Sequence, residues 1–193
     1  MARSQKNILN DRIEYHPVTQ ACLGDVKRFA KKYGKFGYCA CMRWRLRSTD
    51  FQRTTKEERN AHLEQLVQDN VPVGILALDA DEPVGWCSVA PRETYHALQA
   101  SRVLPPLDDK HVWSVVCFFL APQYRSKGLS VGLLQAAVHY AIANGAEAVE
   151  GYPVPPDSTS YRFMGLPEVF LRAGFVEVTP PEQKRMVFRY LSS

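Results

Sequence analysis

The run Gln123-Tyr124-Arg125-Ser126-Lys127-Gly128-Leu129-Ser130-Val131-Gly132 carries the residue types of an anion site. Arg125 and Lys127 bring two full positive charges, and Gly128 lacks a Cβ, so a phosphate can come close to the main chain. The apolar run Val112 to Leu120 before it reads as a buried strand, and Leu129 to Ala143 after it reads as a helix. The first amides of a helix have no partner inside it, and the helix dipole adds partial positive charge there. Strand, basic turn and helix start together favour a phosphorylated ligand on the amides of residues 126 to 131. Two nucleotide loops are excluded. No GxxxxGK[ST] run is present, and a dinucleotide GxGxxG would follow the first strand, whereas this turn lies late in the chain with only Gly128 and Gly132.

Arg125-Ser126-Lys127-Gly128-Leu129-Ser130 resembles the [QR]-x-x-G-x-[GA] signature of the GNAT family of N-acetyltransferases, with Ser130 where Gly or Ala is usual. The likeness covers residues 71–191 in the family's order of elements, and residues 1–70 match less specifically. The resemblance implies that the turn, Arg125 to Val131, holds the pyrophosphate of acetyl-coenzyme A as co-substrate. It implies that the strand before the turn and the strand after its helix splay apart. The pantetheine arm would lie in that gap, on backbone groups of Phe118, Phe119 and Leu120. The N-terminal region, with Tyr38 to Arg45 and Gly85 to Arg92, would shape the acceptor side. It resembles a little-characterised branch that assigns no acceptor beyond a small amine or an exposed amino group.

Acetyl transfer to an amine makes few demands. A lysine-like ammonium, with a pKa of about 10.4, must lose a proton before it can attack. The thioester oxygen needs a donor as charge develops, which an unpaired strand amide can supply. Family members often carry Tyr-x-x-x-Gly-Phe, but here Phe170 stands at the tyrosine's place, ahead of Gly174-Phe175. At the place of a strand glutamate or histidine stands Ser114, a poor base. The candidates are Tyr152 as the acid and Glu150 as the base, both at the end of the strand after the long helix, with Tyr161 in a loop as a weaker choice. For Tyr152 a role as a wall residue is equally open, and Glu150 has an ion-paired alternative. His111, Trp44, Trp86 and Trp113 read as structural.

These groups need a frame. Ile13 to Val18 reads as a strand and Gly24 to Tyr33 as a basic amphipathic helix. Thr55 to Asn70 reads as a helix with a capping box from Thr54 or Thr55 to Glu57 or Glu58. Val73 to Asp79 and Pro83 to Ala90 form a hairpin, and Arg92 to Ala100 a short helix. Ala148 to Tyr152 is a strand, Leu166 to Ala173 a short helix, and Phe175 to Val178 and Lys184 to Leu191 are strands. The basic run Arg43-Trp44-Arg45-Leu46-Arg47 reads as a strand with alternating sides, and the lysines upstream of it as a solvated helix face. The result is an α/β fold, a mixed and mostly antiparallel sheet flanked by helices, expected to form one domain over residues 1–193.

Composition narrows the class. Apolar residues make up 46% and charged residues 23%, ordinary for a globular chain, and the net charge of +4 suits a polyanionic partner. No membrane span or leader is read, the stretch Met1 to Asn10 being polar, and the expected location is the cytoplasm. Cys22, Cys39, Cys41, Cys87 and Cys117 are read as thiols with neither a disulfide nor a metal, since no second Cys/His pair has ligand spacing. Oligomeric state stays open, with a homodimer one option. Two rivals remain: a non-catalytic acyl-coenzyme-A-binding module, and an RNA-binding protein using the basic N-terminal third.

Overall fold

The computed structural model describes residues 12–191, and the leader reading on residues 1–10 lies outside them. Seven strands form one sheet: β1 (Ile13–Pro17), β2 (Ile75–Asp79), β3 (Glu82–Pro91), β4 (Val112–Leu120), β5 (Ala148–Gly151), β6 (Val176–Glu177) and β7 (Phe188–Leu191), in the order β1-β2-β3-β4-β5-β7-β6. Only the β4–β5 pair is parallel. The helices are α1 (Leu23–Lys32), α2 (Gly34–Cys39), α3 (Met42–Arg45), α4 (Ser48–Arg53), α5 (Lys56–Gln68), α6 (His96–Gln99), α7 (Leu129–Ala143) and α8 (Pro167–Arg172). This is the mixed, mostly antiparallel architecture expected from the sequence.

Alternation along the strands supplies two cores. Ile75, Ala77, Cys87 and Val115 face α7, which buries Leu129, Leu133, Leu134, Ala137 and Val138 against them. Leu76 and Trp86 point the other way and meet Val26 and Phe29 of α1 and Leu63 and Val67 of α5. Helix α5 starts at the foreseen capping box: Thr55 Oγ1 accepts from the Glu58 amide at 3.2 Å, and the Thr55 amide donates to Glu58 Oε2 at 2.7 Å. No helix of the described residues is long and apolar enough to cross a membrane.

The chain between α1 and α5 departs from the reading. Arg43 to Arg47 is not a strand. Met42 to Arg45 is one helical turn, and Ala40 and Cys41 before it both take the left-handed conformation, with φ of 43° and 53°. Apolar Met42, Trp44 and Leu46 alternate with arginines, which mimics a strand over so short a span. Tertiary contact decides instead: the Arg45 guanidinium sits 4.7 Å from the Tyr95 ring centroid and donates to the Pro72 carbonyl at 2.7 Å.

The sheet splits at β4. Strand β3 pairs with it as far as Leu120, whereas β5 pairs only from Val112 to Val115, where Val115 meets Gly151. A bulge marks the same level: Ser88 pairs with Cys117 and Val89 with Val115, leaving Val116 extra. From Val116 to Leu120 one edge of β4 is open. Beyond Gly151 the Phe170 ring fills the gap on one face, fully buried with ring centroids 5.2 Å from Phe175, 5.9 Å from Phe118 and 6.0 Å from Phe188. A Cβ on Gly151 would lie 2.0 Å from Phe170 Cε1. Gly151→Ala is therefore expected to lower stability by about 1–3 kcal/mol through overpacking. Urea unfolding checks this, and wild-type stability would mean the Phe170 ring has room to retreat.

Candidate active site

The basic turn leaves β4 through Pro122 to Tyr124 and is tied down before it opens. Tyr124 donates its hydroxyl to Asp79 Oδ2 at 2.7 Å, and Arg12 binds the same carboxylate, so the Asp79 carboxyl is held below its ordinary range by Arg12 first and Tyr124 second. Arg125 Nε donates to the Leu120 carbonyl at 3.0 Å, which turns its side chain back along the strand end. Ser126, at φ 58°, and Gly128, at φ 90°, are left-handed, and Gly128 caps α7. This folds the chain so that the amides of residues 126–130 enter no hydrogen bond among the described residues. Leu129 is buried in the core, whereas Ser130 faces the adjoining cavity. Unclaimed amides at the start of a fifteen-residue helix, flanked by Arg125 and Lys127, can hold an anion.

That cavity, of about 1020 Å³, runs along the open half of β4 from Cys117 to Leu120. The turn closes one end with Arg125 and Ser130. Segments 35–43 and 160–166 close the others. Phe118 and Phe119 send their rings to opposite faces, toward Phe170 and toward Phe29 and Phe36, while their backbone edge stays toward the gap. Lys35, Arg43, Arg125 and Arg162 line the cavity, and among the described residues no aspartate, glutamate or histidine does. Among the described residues no cluster of His, Cys, Asp or Glu could hold a metal ion.

Tyr152 and Glu150 lie elsewhere. Both are 1% exposed, beneath the closed end of the fork, and neither lines the cavity. The Tyr152 hydroxyl donates to Glu150 Oε2 at 2.9 Å, accepts from Arg92 Nη1 at 2.6 Å and meets Ser114 Oγ at 2.8 Å. Glu150 Oε1 accepts from Arg189 Nη2 at 2.5 Å, and Arg189 Nη1 reaches Asp108 Oδ2 at 2.5 Å. Two guanidiniums thus balance two carboxylates, as burial of charge requires. Burial and then the Glu150 charge push the Tyr152 phenol far above its ordinary value, which makes it a weak acid. The sequence reading found Glu150 and Tyr152 but missed Arg92, Asp108 and Arg189. The available signal was a charge inside an apolar strand, Val187-Phe188-Arg189-Tyr190. Tyr161 does line the cavity, its ring 6.1 Å from that of Trp44. His111 is exposed at the far end of β4, with Nδ1 2.9 Å from the Gly145 carbonyl oxygen.

No curated protein matches the sequence. Solved structures share its fold. The aminoglycoside acetyltransferase AAC(6')-Ib, in complex with coenzyme A and kanamycin, superposes with a TM-score of 0.56 at 18% identity, over 93% of this chain and 94% of that one. A ribosomal-protein-S5-alanine acetyltransferase from Vibrio fischeri gives a TM-score of 0.53 at 14% identity, covering 93% of each chain. A ribosomal-protein-alanine N-acetyltransferase from Brucella melitensis gives 0.54 at 16% identity, over 93% of this chain and 99% of that one. The sequence profile of the acetyltransferase (GNAT) family matches residues 39–164, which run from the Cys39 wall of the cavity through the fork and the basic turn to the segment opposite. With more than half of its length matched in this way, the chain belongs to the acetyltransferase (GNAT) family.

Proposed function

We propose that the protein transfers the acetyl group of acetyl-coenzyme A to an amine by direct attack in a ternary complex. The observation that carries this reading is the continuity of three features: unclaimed amides at the start of α7, the cavity beside them, and the open edge of β4. The residues fit the co-substrate. The amides of residues 126–130 with Arg125 and Lys127 take its pyrophosphate, the Val131 amide expected to join them being engaged by the Gly128 carbonyl at 3.0 Å, and backbone groups of Phe118, Phe119 and Leu120 take its arm. Acetyl-coenzyme A supplies an activated acyl group, and the chain supplies position and a strand-edge donor for the developing oxyanion. The five free thiols suit a reducing compartment, the cytoplasm.

On the acceptor side the cavity carries the cations of Lys35, Arg43 and Arg162 and, among the described residues, no carboxylate. A polycation would be repelled there, whereas a small amine that also bears an acid group would be attracted. AAC(6')-Ib is solved with kanamycin, a polyamine, and that chemistry does not suit these walls. Tyr152 and Glu150 are better read as positioning residues that close the fork, since their hydrogen-bonding capacity is committed internally.

Three outcomes follow. Gly128→Asp places a carboxylate and a strained left-handed residue at the turn, and calorimetry should show acetyl-coenzyme A affinity reduced more than tenfold, or about 1.4 kcal/mol. Unchanged affinity in the folded variant would remove the phosphate site. In a panel of amines followed by coenzyme A release, acid-bearing amines should exceed polyamines in kcat/KM by about tenfold or more, and the reverse order would reject the acceptor class. Tyr152→Phe should change turnover by less than about tenfold. A fall of about a hundredfold with intact cofactor affinity would instead restore Tyr152 as the proton donor.

A further inference from the structure

The acceptor-side walls of the cavity carry aromatic rings that the reaction as described so far does not use. Tyr38 is 58% exposed and Phe163 37%, and both line the cavity, Tyr38 from segment 35–43 and Phe163 from segment 160–166. Large apolar side chains left open beside a cavity mark a surface that a ligand covers. Both rings are held where they stand. The buried Arg59 guanidinium lies 4.6 Å from the Tyr38 ring centroid and 4.3 Å from that of Phe51, another lining ring. Arg59 itself is fixed: Nη1 donates to the Tyr38 carbonyl at 2.6 Å, Nη2 to the Thr54 carbonyl at 2.6 Å and Nε to Thr54 Oγ1 at 3.2 Å. On the other wall the Phe163 ring is 5.7 Å from that of Tyr161, which is left-handed at φ 57° and has the Arg185 guanidinium 5.0 Å from its centroid. A ring that already faces a cation draws less on a second, so these walls suit an uncharged aromatic body better than an ammonium.

The cations of these walls are not equivalent. Lys35 and Arg162 are exposed, and Arg162 Nη1 donates to the carbonyls of Pro156 and Ser158 at 2.5 and 3.2 Å. Arg43 is half-buried, its guanidinium 5.6 Å from the Trp44 ring centroid, and among the described residues that guanidinium makes neither a hydrogen bond nor an ion pair. The fold bears strain to place it. Ala40 and Cys41 hold consecutive left-handed conformations, and Cys41 Sγ accepts the buried indole N–H of Trp86 at 3.0 Å, which anchors the turn. In α3, which follows, Met42, Trp44 and Arg45 are buried, whereas Arg43 lines the cavity. The Trp44 ring, 6.1 Å from that of Tyr161, joins this turn to the opposite wall. A guanidinium with its donor fork unclaimed matches a carboxylate in two-point contact.

We propose that the acceptor is an amine bearing both a carboxylate and an aromatic body, the chemistry of a free aromatic amino acid, with Arg43 selecting the carboxylate and Tyr38 and Phe163 taking the ring. The proposal deepens the reading of the chain as an amine acetyltransferase and rests on it. The cavity, at about 1020 Å³, stands at the upper end of the roughly 300–1,000 Å³ typical of ligand pockets, so it has room for such a body beside the arm of the co-substrate. Arg43 here is a specificity-determining residue: it holds the acceptor and moves no proton, so its contribution appears in KM and not in kcat.

Three acceptors followed by coenzyme A release separate the contributions: L-phenylalanine, L-alanine, which lacks the ring, and phenethylamine, which lacks the carboxylate. Wild-type kcat/KM for phenylalanine should exceed that for each of the others by about tenfold or more. Arg43→Gln should lower kcat/KM for phenylalanine and alanine by about tenfold to a hundredfold, through KM, and leave phenethylamine within about threefold. Arg43→Lys, which keeps the charge and loses the fork, should fall between. Tyr38→Ala and Phe163→Ala should each lower phenylalanine by about tenfold and leave alanine within about threefold. Equal losses of phenylalanine and phenethylamine in Arg43→Gln would make the arginine structural and overturn the proposal. So would a wild-type chain that acetylates alanine or phenethylamine as well as phenylalanine. If the wild type acetylates other amines and none of these, the acceptor class alone falls; if it acetylates no amine at all, the reading of amine transfer falls. A measurement without turnover decides the arginine in either case. Calorimetry of N-acetylphenylalanine into the coenzyme A complex should show affinity reduced about tenfold or more by Arg43→Gln, and equal affinity, or no binding to the wild type, would overturn the assignment.

Discussion

Pairing between β4 and β5 stops after Val115 and Gly151 while β4 stays bonded to β3 as far as Leu120, and the cavity exists because of that mismatch. Three local causes converge there. The bulge at Val116 increases the twist of β4 and re-aims the residues beyond it. Gly151 leaves room for an aromatic ring, and Phe170 occupies it and bars β5 from following β4 further on that face. Below the fork, Arg92, Glu150, Tyr152, Ser114 and Arg189 bind β4, β5 and β7 to one another. A sheet that opens on one side must be firmly closed on the other, and the buried ionic network closes it.

The two cationic environments serve different ends. Under the fork each guanidinium meets carboxylates, so charge is balanced inside the fold and the group acts as a clasp. On the cavity wall the cations have no such partners among the lining residues, which leaves the balance to whatever enters. Arg45 stands between these cases, buried like the first set and, among the described residues, without a carboxylate like the second.

Much of the frame was legible in the residues, and the reasons are specific. Val112 to Leu120, the helix from Leu129 to Ala143 and the Thr55–Glu58 box carry long or local signals that tertiary contact does not override. The turn between them could be located from Arg125, Lys127 and Gly128 alone. The stretch from Gly34 to Arg53 was not legible: three helices of four to six residues carry too little periodicity, and their path depends on Ala40, Cys41 and the Arg45–Tyr95 contact. The clasp was half visible. Glu150 and Tyr152 are two residues apart and drew notice, whereas Arg92, Asp108 and Arg189 are scattered along the chain and meet only through strand register. That Phe170 cannot carry a proton was plain from its type, but its service as a wedge against Gly151 needed coordinates.

The unpaired edge of β4 has a consequence for how the protein behaves when it is isolated. Peptide groups turned toward a gap are a template for any extended chain, and native folds usually cover such edges. Here the edge lies in a cleft rather than at a margin of the sheet, between segments 35–43 and 160–166. Occupancy of the gap by a molecule that recognises only the folded chain stabilises it by about 2.7 kcal/mol at a hundredfold excess over Kd, so the melting temperature rises with concentration. Thermal stability thereby becomes a readout of what fills the fork, and a library of acyl donors can be ranked by it before any acceptor is identified.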